Sequence, residues 1–310
     1  MQNGIVLKAL GQTYRVLIAN NEVISCSLKG NLRLKNVTTT NPVVVGDNVS
    51  VVLSEQGGDY TIAGVEPRKN YIIRQSKKLS KQYQIIASNI DQVFILITLT
   101  HPKTYDTFVD RILTTAEAYQ IDAHLIFTKR DLYDKKLMDE LEEKLTVYDP
   151  LGYPCHVVSM LDDKYIPKFK KACEGKVTLL CGMSGTGKST FINLMVPGNN
   201  RKTGEISEAH AKGKHMTTFS EMIALPGGGF IIDTPGIQEF GIADIDKYSL
   251  SQYFREMNKF RANCKFNSCM HINEPGCAVI KAVEEGEIAV SRYESYLSIY
   301  NNEASEERRY

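Results

Sequence analysis

The chain has 310 residues, a formal net charge of +1, 43% apolar residues and 24% charged residues. Its length exceeds one small module and allows two or three domains, and its composition is ordinary for a globular protein. No apolar run approaches the ~20 residues that span a bilayer, and the N-terminal MQNGIVLKAL lacks a signal-peptide pattern, so a cytoplasmic protein without a membrane partner is expected.

Residues 1–67 read as all-β. Ile5–Leu7, Tyr14–Ile18, Val23–Leu28, Val43–Leu53 and Tyr60–Val65 are runs rich in β-branched residues, punctuated by Gly11, Asn20-Asn21, Gly30-Asn31 and Gly57-Gly58-Asp59. About five strands in so short a span predict a small closed barrel, since closure removes exposed edges. An OB-fold is the first choice and an SH3-like barrel the second. Such barrels commonly bind nucleic acid; a protein-packing module is the alternative. Residues 68–84 form a basic linker in which Arg68, Lys69, Arg74, Lys77, Lys78 and Lys81 interleave with Tyr71 and Tyr83. That mixture suits RNA backbone and base stacking, and suits a solvated connector equally.

From residue 85 the pattern alternates. Strands are expected at Asp91–Thr98, Ala123–Phe127 and Cys155–Ser159, and helices at Thr107–Tyr119, Asp134–Leu145 and Pro167–Cys173. This is the βαβ rhythm of a parallel sheet covered on both faces. Val177–Cys181 is a further strand. It breaks into Gly182-Met183-Ser184-Gly185-Thr186-Gly187-Lys188-Ser189, with Thr190 opening a helix. The G-x-x-x-x-G-K-[ST] spacing between strand and helix makes a phosphate cradle: backbone N–H groups converge, Lys188 reaches the phosphates, and Ser189 can ligate Mg²⁺.

Three more segments turn nucleotide into guanine nucleotide. Thr128-Lys129-Arg130-Asp131 follows a buried strand and resembles the N-K-x-D base-reading motif, with Thr in the Asn position. The Asp131 carboxylate can accept from the guanine ring N–H and exocyclic amine, a donor pair adenine lacks. Ser159 matches the place of the weaker serine motif. Asp233-Thr234-Pro235-Gly236 resembles D-x-x-G, with Asp233 toward Mg²⁺ and Gly236 toward the γ-phosphate. Thr217, or alternatively Thr218, completes the Mg²⁺ shell. Ile237 stands where a water-orienting Gln often sits, so His215 is the candidate to orient the attacking water, unless it is a solvated loop histidine. Slow hydrolysis, accelerated by a partner, is expected. Asp131 precedes Gly182, the reverse of the usual order, which describes a circularly permuted GTPase spanning 85–241.

The remainder, 242–310, is expected to be mostly helical around Cys264, Cys269, His271 and Cys277, spaced C-x₄-C-x-H-x₅-C. Seven cysteines, three of them in this cluster, favour a metal site over disulfides. Cys₃His is a closed tetrahedral set, so one structural Zn²⁺ per chain is expected.

Barrel, base-reading motif, phosphate loop, Gly213-Lys214-His215-Met216-Thr217-Thr218, D-T-P-G and the cysteine cluster together resemble the RsgA (YjeQ) family. Thr203–Ser207 and Glu274–Val279 add to the resemblance; Thr128 and Met216 depart from the family's common Asn and Thr. The resemblance implies an α/β circularly permuted P-loop GTPase flanked by an OB-fold barrel and a zinc-binding domain. It further implies a monomeric late assembly factor of the 30S subunit, with GTP/GDP, Mg²⁺ and 16S rRNA as ligands and release driven by hydrolysis. Two other classes stay open on the residues: a zinc-bearing GTPase acting on protein partners without RNA, and an ATP-dependent kinase.

Overall fold

A computed structural model describes residues 1–28, 42–53, 58–75, 83–199, 220–234 and 245–301. In chain order the first strands are β1 (Gln2–Leu10), β2 (Thr13–Ile18), β3 (Val23–Leu28), β4 (Asn48–Leu53), β5 (Tyr60–Val65), β6 (Tyr71–Gln75), β7 (Tyr83–Ser88) and β8 (Gln92–Ile97). Then come α1 (Asp106–Ala118), β9 (Asp122–Phe127), α2 (Lys135–Tyr148), β10 (Cys155–Val157), α3 (Ile166–Cys173), β11 (Val177–Gly182) and α4 (Lys188–Met195). The chain closes with β12 (Glu221–Ala224), β13 (Phe230–Asp233), α5 (Arg255–Phe260), α6 (Ala278–Glu284) and α7 (Val290–Tyr300). Two compact units form: Met1–Phe94 with Met160–Ala243, and Ile95–Ser159 with Asp244–Tyr310.

In the first unit, β1 to β5 close a barrel in the order β1-β2-β3-β5-β4, with β4 pairing back to β1 and β3 running parallel to β5. This is the OB-like arrangement, the first of the two barrels expected. Alternation decides the register: Tyr14, Val16 and Ile18 of β2 turn inward with Ile24, Cys26, Val49, Val51 and Ile62. Gly4 permits a close crossing with β2, since a Cβ there would lie 2.5 Å from Val16 Cγ1 and 2.7 Å from the Leu17 carbonyl oxygen.

The basic segment read as a linker is structured where it is described. β6 and β7 pair as an antiparallel two-stranded sheet. Arg68, read as a potential RNA contact, is instead buried against Asp47, donating to both carboxylate oxygens at 2.6 and 2.7 Å. Asp47 also accepts from the Val44 N–H and the Ser88 hydroxyl, so a hydrogen-bonded charged pair ties barrel to hairpin.

Beyond the barrel the same unit continues β8-β11-β13-β12-β1. β11 and β13 are parallel, while β12 folds back antiparallel on β13 across the Pro226–Gly229 turn, so this sheet is mixed, not wholly parallel. Phe94, Phe169 and Phe191 meet edge to face with centroids 5.3 to 6.2 Å apart, fixing α3 and α4 on the sheet.

The second unit begins within β8, at Ile95, and holds β9 and β10, which are parallel. Asp134 caps α2 by accepting the Leu137 N–H at 2.9 Å. The C-terminal helices pack onto α1. Arg292 of α7 is buried, donating to Asp110 of α1 and, at 2.6 and 3.2 Å, to Glu256 of α5. Residues from Asp244 onward share a compact unit with residues 95–159.

Candidate active site and metal centre

The base-reading loop belongs to the second unit. Thr128 is fully buried; its N–H donates to the Ile97 carbonyl at 2.7 Å and its hydroxyl to the same oxygen at 3.2 Å. Tyr133 braces the loop's root, donating to the Thr128 carbonyl at 2.7 Å and accepting from the Leu99 N–H. The Thr128 hydroxyl thus anchors the loop to the end of β8. Lys129 adopts φ +58° and donates to the His101 carbonyl at 2.7 Å. The turn at Arg130–Leu132 then brings the exposed Asp131 carboxylate to the Ser159 hydroxyl, which donates to it, while the Arg130 N–H reaches the Val158 carbonyl at 3.2 Å. Asp131 and Ser159, 28 positions apart, are therefore joined. Ser159 uses one carboxylate oxygen, which leaves acceptor capacity on Asp131.

The phosphate loop belongs to the first unit. Gly182, Gly185 and Gly187 have φ of +149°, +83° and +100°, conformations that side chains strain to adopt. Met183 and Thr186 are buried while Ser184 and Gly185 are exposed. The Thr186 hydroxyl donates to the Met183 carbonyl at 2.9 Å and pins the loop from inside. Lys188 donates to the Gly182 and Met183 carbonyls at 2.5 and 2.6 Å, so its ammonium lies along the loop. Burial lowers the Lys188 pKa, and the nearby Asp233 carboxylate opposes that shift. Ser189 and Thr190 follow in the first turn of α4, which carries no acidic side chain, so the positive end of its dipole stays uncompensated. Asp233 ends β13, buried and opposite Leu180 of β11, and the Thr234 hydroxyl donates to the Leu180 carbonyl at 3.3 Å. His215, Thr217 and Gly236 lie outside the described residues.

Cys264, Cys269, His271 and Cys277 present ligand atoms that all lie within 4.8 Å of one another. Cys264 Sγ is 3.6 Å from His271 Nδ1 and 4.0 Å from Cys277 Sγ, and His271 Nδ1 is 3.4 Å from Cys277 Sγ. A tetrahedron of ~2.3 Å metal–sulfur bonds has edges of about 3.8 Å, so the donors fit a four-coordinate ion. Burial pushes the Cys269 thiol up to about 12 and lowers the His271 pKa, keeping the imidazole neutral and able to ligate. Burial raises the Cys277 pKa, and its capping of α6, accepting the Ile280 N–H at 3.4 Å, partly opposes that rise. Glu274 accepts the N–H groups of Met270, Ile272 and Asn273 at 2.7 to 3.1 Å. Tyr293 and Tyr296 donate to the His271 and Met270 carbonyls at 2.7 and 2.6 Å. These four residues can hold a metal ion, and the loop between them is braced from α7.

Residues 65–243 match the family described as RsgA GTPase, and residues 3–60 match the RsgA N-terminal domain. The chain belongs to the RsgA GTPase family. It is a GTP hydrolase of circularly permuted fold. Among solved structures, YjeQ from Thermotoga maritima is 31% identical with a TM-score of 0.76, covering 97% of this chain and 98% of that one. YloQ, described as a circularly permuted GTPase, is 27% identical with a TM-score of 0.74, covering 97% and 94%. Full-length relatives include the small ribosomal subunit biogenesis GTPase RsgA of Bacteroides fragilis strain YCH46, 48% identical over 99% of this chain and 98% of that protein. The protein of the same name from Christiangramia forsetii is 46% identical over 97% and 96%.

Sequence reading missed Glu274 and the Arg292 cluster. Glu274 carried a signal, a lone acid before the Pro275-Gly276 turn inside the ligand set. Asp110 and Arg292 lie 182 positions apart, a pairing no local pattern announces.

Proposed function

We propose that this RsgA-family GTPase works in biogenesis of the small ribosomal subunit, binding that subunit in its GTP state and leaving after hydrolysis. One observation carries the reading: the match to relatives of that name runs end to end, through barrel, GTPase core and cysteine cluster alike. On this reading the partner surface is 16S rRNA, met by the barrel and the metal-bearing region, and the chain acts as a cytoplasmic monomer.

The residues divide the work. Asp131, held by Ser159, accepts the two guanine donors, and the Lys129 stem covers the base. Backbone N–H groups from Gly182 to Thr190 cradle the phosphates. Lys188 exchanges its two carbonyl acceptors for phosphate oxygens, a stronger charge-assisted contact. Ser189, Thr217 and Asp233 are the holders of Mg²⁺, which supplies charge neutralisation at the β- and γ-phosphates. Gly236 meets the γ-phosphate, and His215 orients the attacking water in place of the Gln that Ile237 replaces. Cys264, Cys269, His271 and Cys277 hold structural Zn²⁺, supported by a closed donor set with tetrahedral edges; a purified chain lacking stoichiometric zinc would overturn that assignment.

The test is binding to purified small subunits with a non-hydrolysable GTP analogue or GDP across a salt series. Tight binding with the analogue that weakens with GDP and with salt is expected. No subunit binding in either state would contradict the reading and favour a GTPase acting on protein partners.

A further inference from the structure

His271 has a left-handed backbone, with φ +58°, a conformation that side chains adopt only where their surroundings impose it. Its backbone angles are set by the two peptide planes that flank it, and both planes are held at both ends. In the plane before it, the Met270 carbonyl accepts from the Tyr296 hydroxyl at 2.6 Å and the His271 N–H donates to the Cys269 sulfur. In the plane after it, the His271 carbonyl accepts from the Tyr293 hydroxyl at 2.7 Å and the Ile272 N–H donates to Glu274 Oε2 at 2.8 Å. Glu274 reaches further along the same loop. Its Oε1 accepts the Met270 N–H at 2.7 Å, and its Oε2 also accepts the Asn273 N–H at 3.1 Å. One carboxylate thus gathers donors from both sides of His271. Tyr293 and Tyr296, three positions apart on α7 with stacked rings, supply the opposing hydroxyls from one helix face. The turn that results aims the imidazole: His271 Nδ1 lies 3.6 Å from Cys264 Sγ and 3.4 Å from Cys277 Sγ. A carboxylate suits this task because it offers acceptors only, whereas an amide of the same length would turn its NH₂ toward a backbone donor.

We propose that Glu274 is the positioning residue of the metal centre: by collecting the N–H groups around His271 it fixes the imidazole against the three thiolates before an ion arrives. This rests on Cys264, Cys269, His271 and Cys277 holding Zn²⁺, the role proposed above. An outer group that orients a ligand adds about 10- to 100-fold to metal affinity.

The experiment titrates the full metal-free chain with Zn²⁺ against a chelating dye, and with Co²⁺ by visible absorption. Glu274→Gln binds Zn²⁺ about tenfold or more weakly than wild type. The decisive readout is the same substitution made together with His271→Ala. Positioning acts through the imidazole, so in that background Glu274→Gln adds no further loss. A carboxylate acting only by its charge, or only by bracing the fold, would cost as much affinity without the imidazole as with it. That result, or wild-type affinity in Glu274→Gln, overturns the proposal. Should His271→Ala bind too weakly to titrate, the Co²⁺ spectrum of Glu274→Gln decides: bands shifted from the wild-type pattern support the proposal, and an unchanged spectrum contradicts it. A wild-type chain that binds neither ion overturns the zinc reading itself; a wild-type chain that binds Zn²⁺ no more tightly than Glu274→Gln removes only the part played by Glu274.

Discussion

At the residue scale the decisive groups are short-range devices. Asp131 is exposed, carries one hydrogen bond from Ser159, and sits on a loop whose root is locked by Thr128 and Tyr133. A carboxylate presented rigidly discriminates by the penalty of leaving a polar group unpaired. Asp131→Asn is expected to weaken GTP about a hundredfold and to improve xanthosine triphosphate, whose ring carbonyl matches an amide donor. Competition binding with the two nucleotides checks this; an unchanged preference would remove Asp131 from base reading. Such residues were legible beforehand because a phosphate loop, a base-reading tetrapeptide and a Cys₃His set need fixed spacing within one loop or a few turns. Thr128 shows the boundary of that legibility. Its place in the motif was plain, but the turn of its hydroxyl onto Ile97 depends on where β8 ends.

At the element scale, strands with period-two alternation were readable and long-range pairings were not. β2, β3 and β5 emerged at or within one residue of their observed bounds, because one face of each is buried, whereas Ile5–Leu7 fell short of both ends of β1 and Val43–Leu53 began before β4. The β6–β7 pair was hidden by composition: lysines and arginines between residues 68 and 84 look the same in a solvated linker and in a hairpin. Equally hidden was the seat of α7 on α1. Arg292 faces two buried carboxylates, Asp110 and Glu256, with Tyr148 donating to Asp110 at 2.9 Å. Burial raises the Asp110 pKa, against the lowering pull of Arg292. Among the described residues the second Asp110 oxygen has no hydrogen-bond partner, so a proton there also relieves a buried excess of negative charge. A carboxyl that binds its proton more tightly when folded contributes stability that is fully present below its unfolded pKa of about 3.9 and is lost as pH rises through the folded value. Thermal unfolding followed from pH 4 upward should therefore show an Asp110-dependent decline, and Asp110→Asn should flatten it. An identical slope in the variant would contradict the assignment.

At the scale of the whole molecule, motif order foretold the permutation. The sequence suggests a GTPase domain ending near residue 241 and a separate metal-bearing domain. By contacts, the phosphate loop and Asp233 group with the barrel, and the base-reading loop with the C-terminal helices. Boundaries read from composition follow the chain, whereas compact units follow contacts such as Arg292 with Asp110 and Lys8 with Glu221, 182 and 213 positions apart. The most direct measurement is GTP turnover by the purified chain, alone and with small ribosomal subunits. The account predicts slow turnover alone, since Ile237 cannot orient water, and a rise of at least about tenfold with subunits. Fast turnover by the isolated chain, unaffected by subunits, would contradict it.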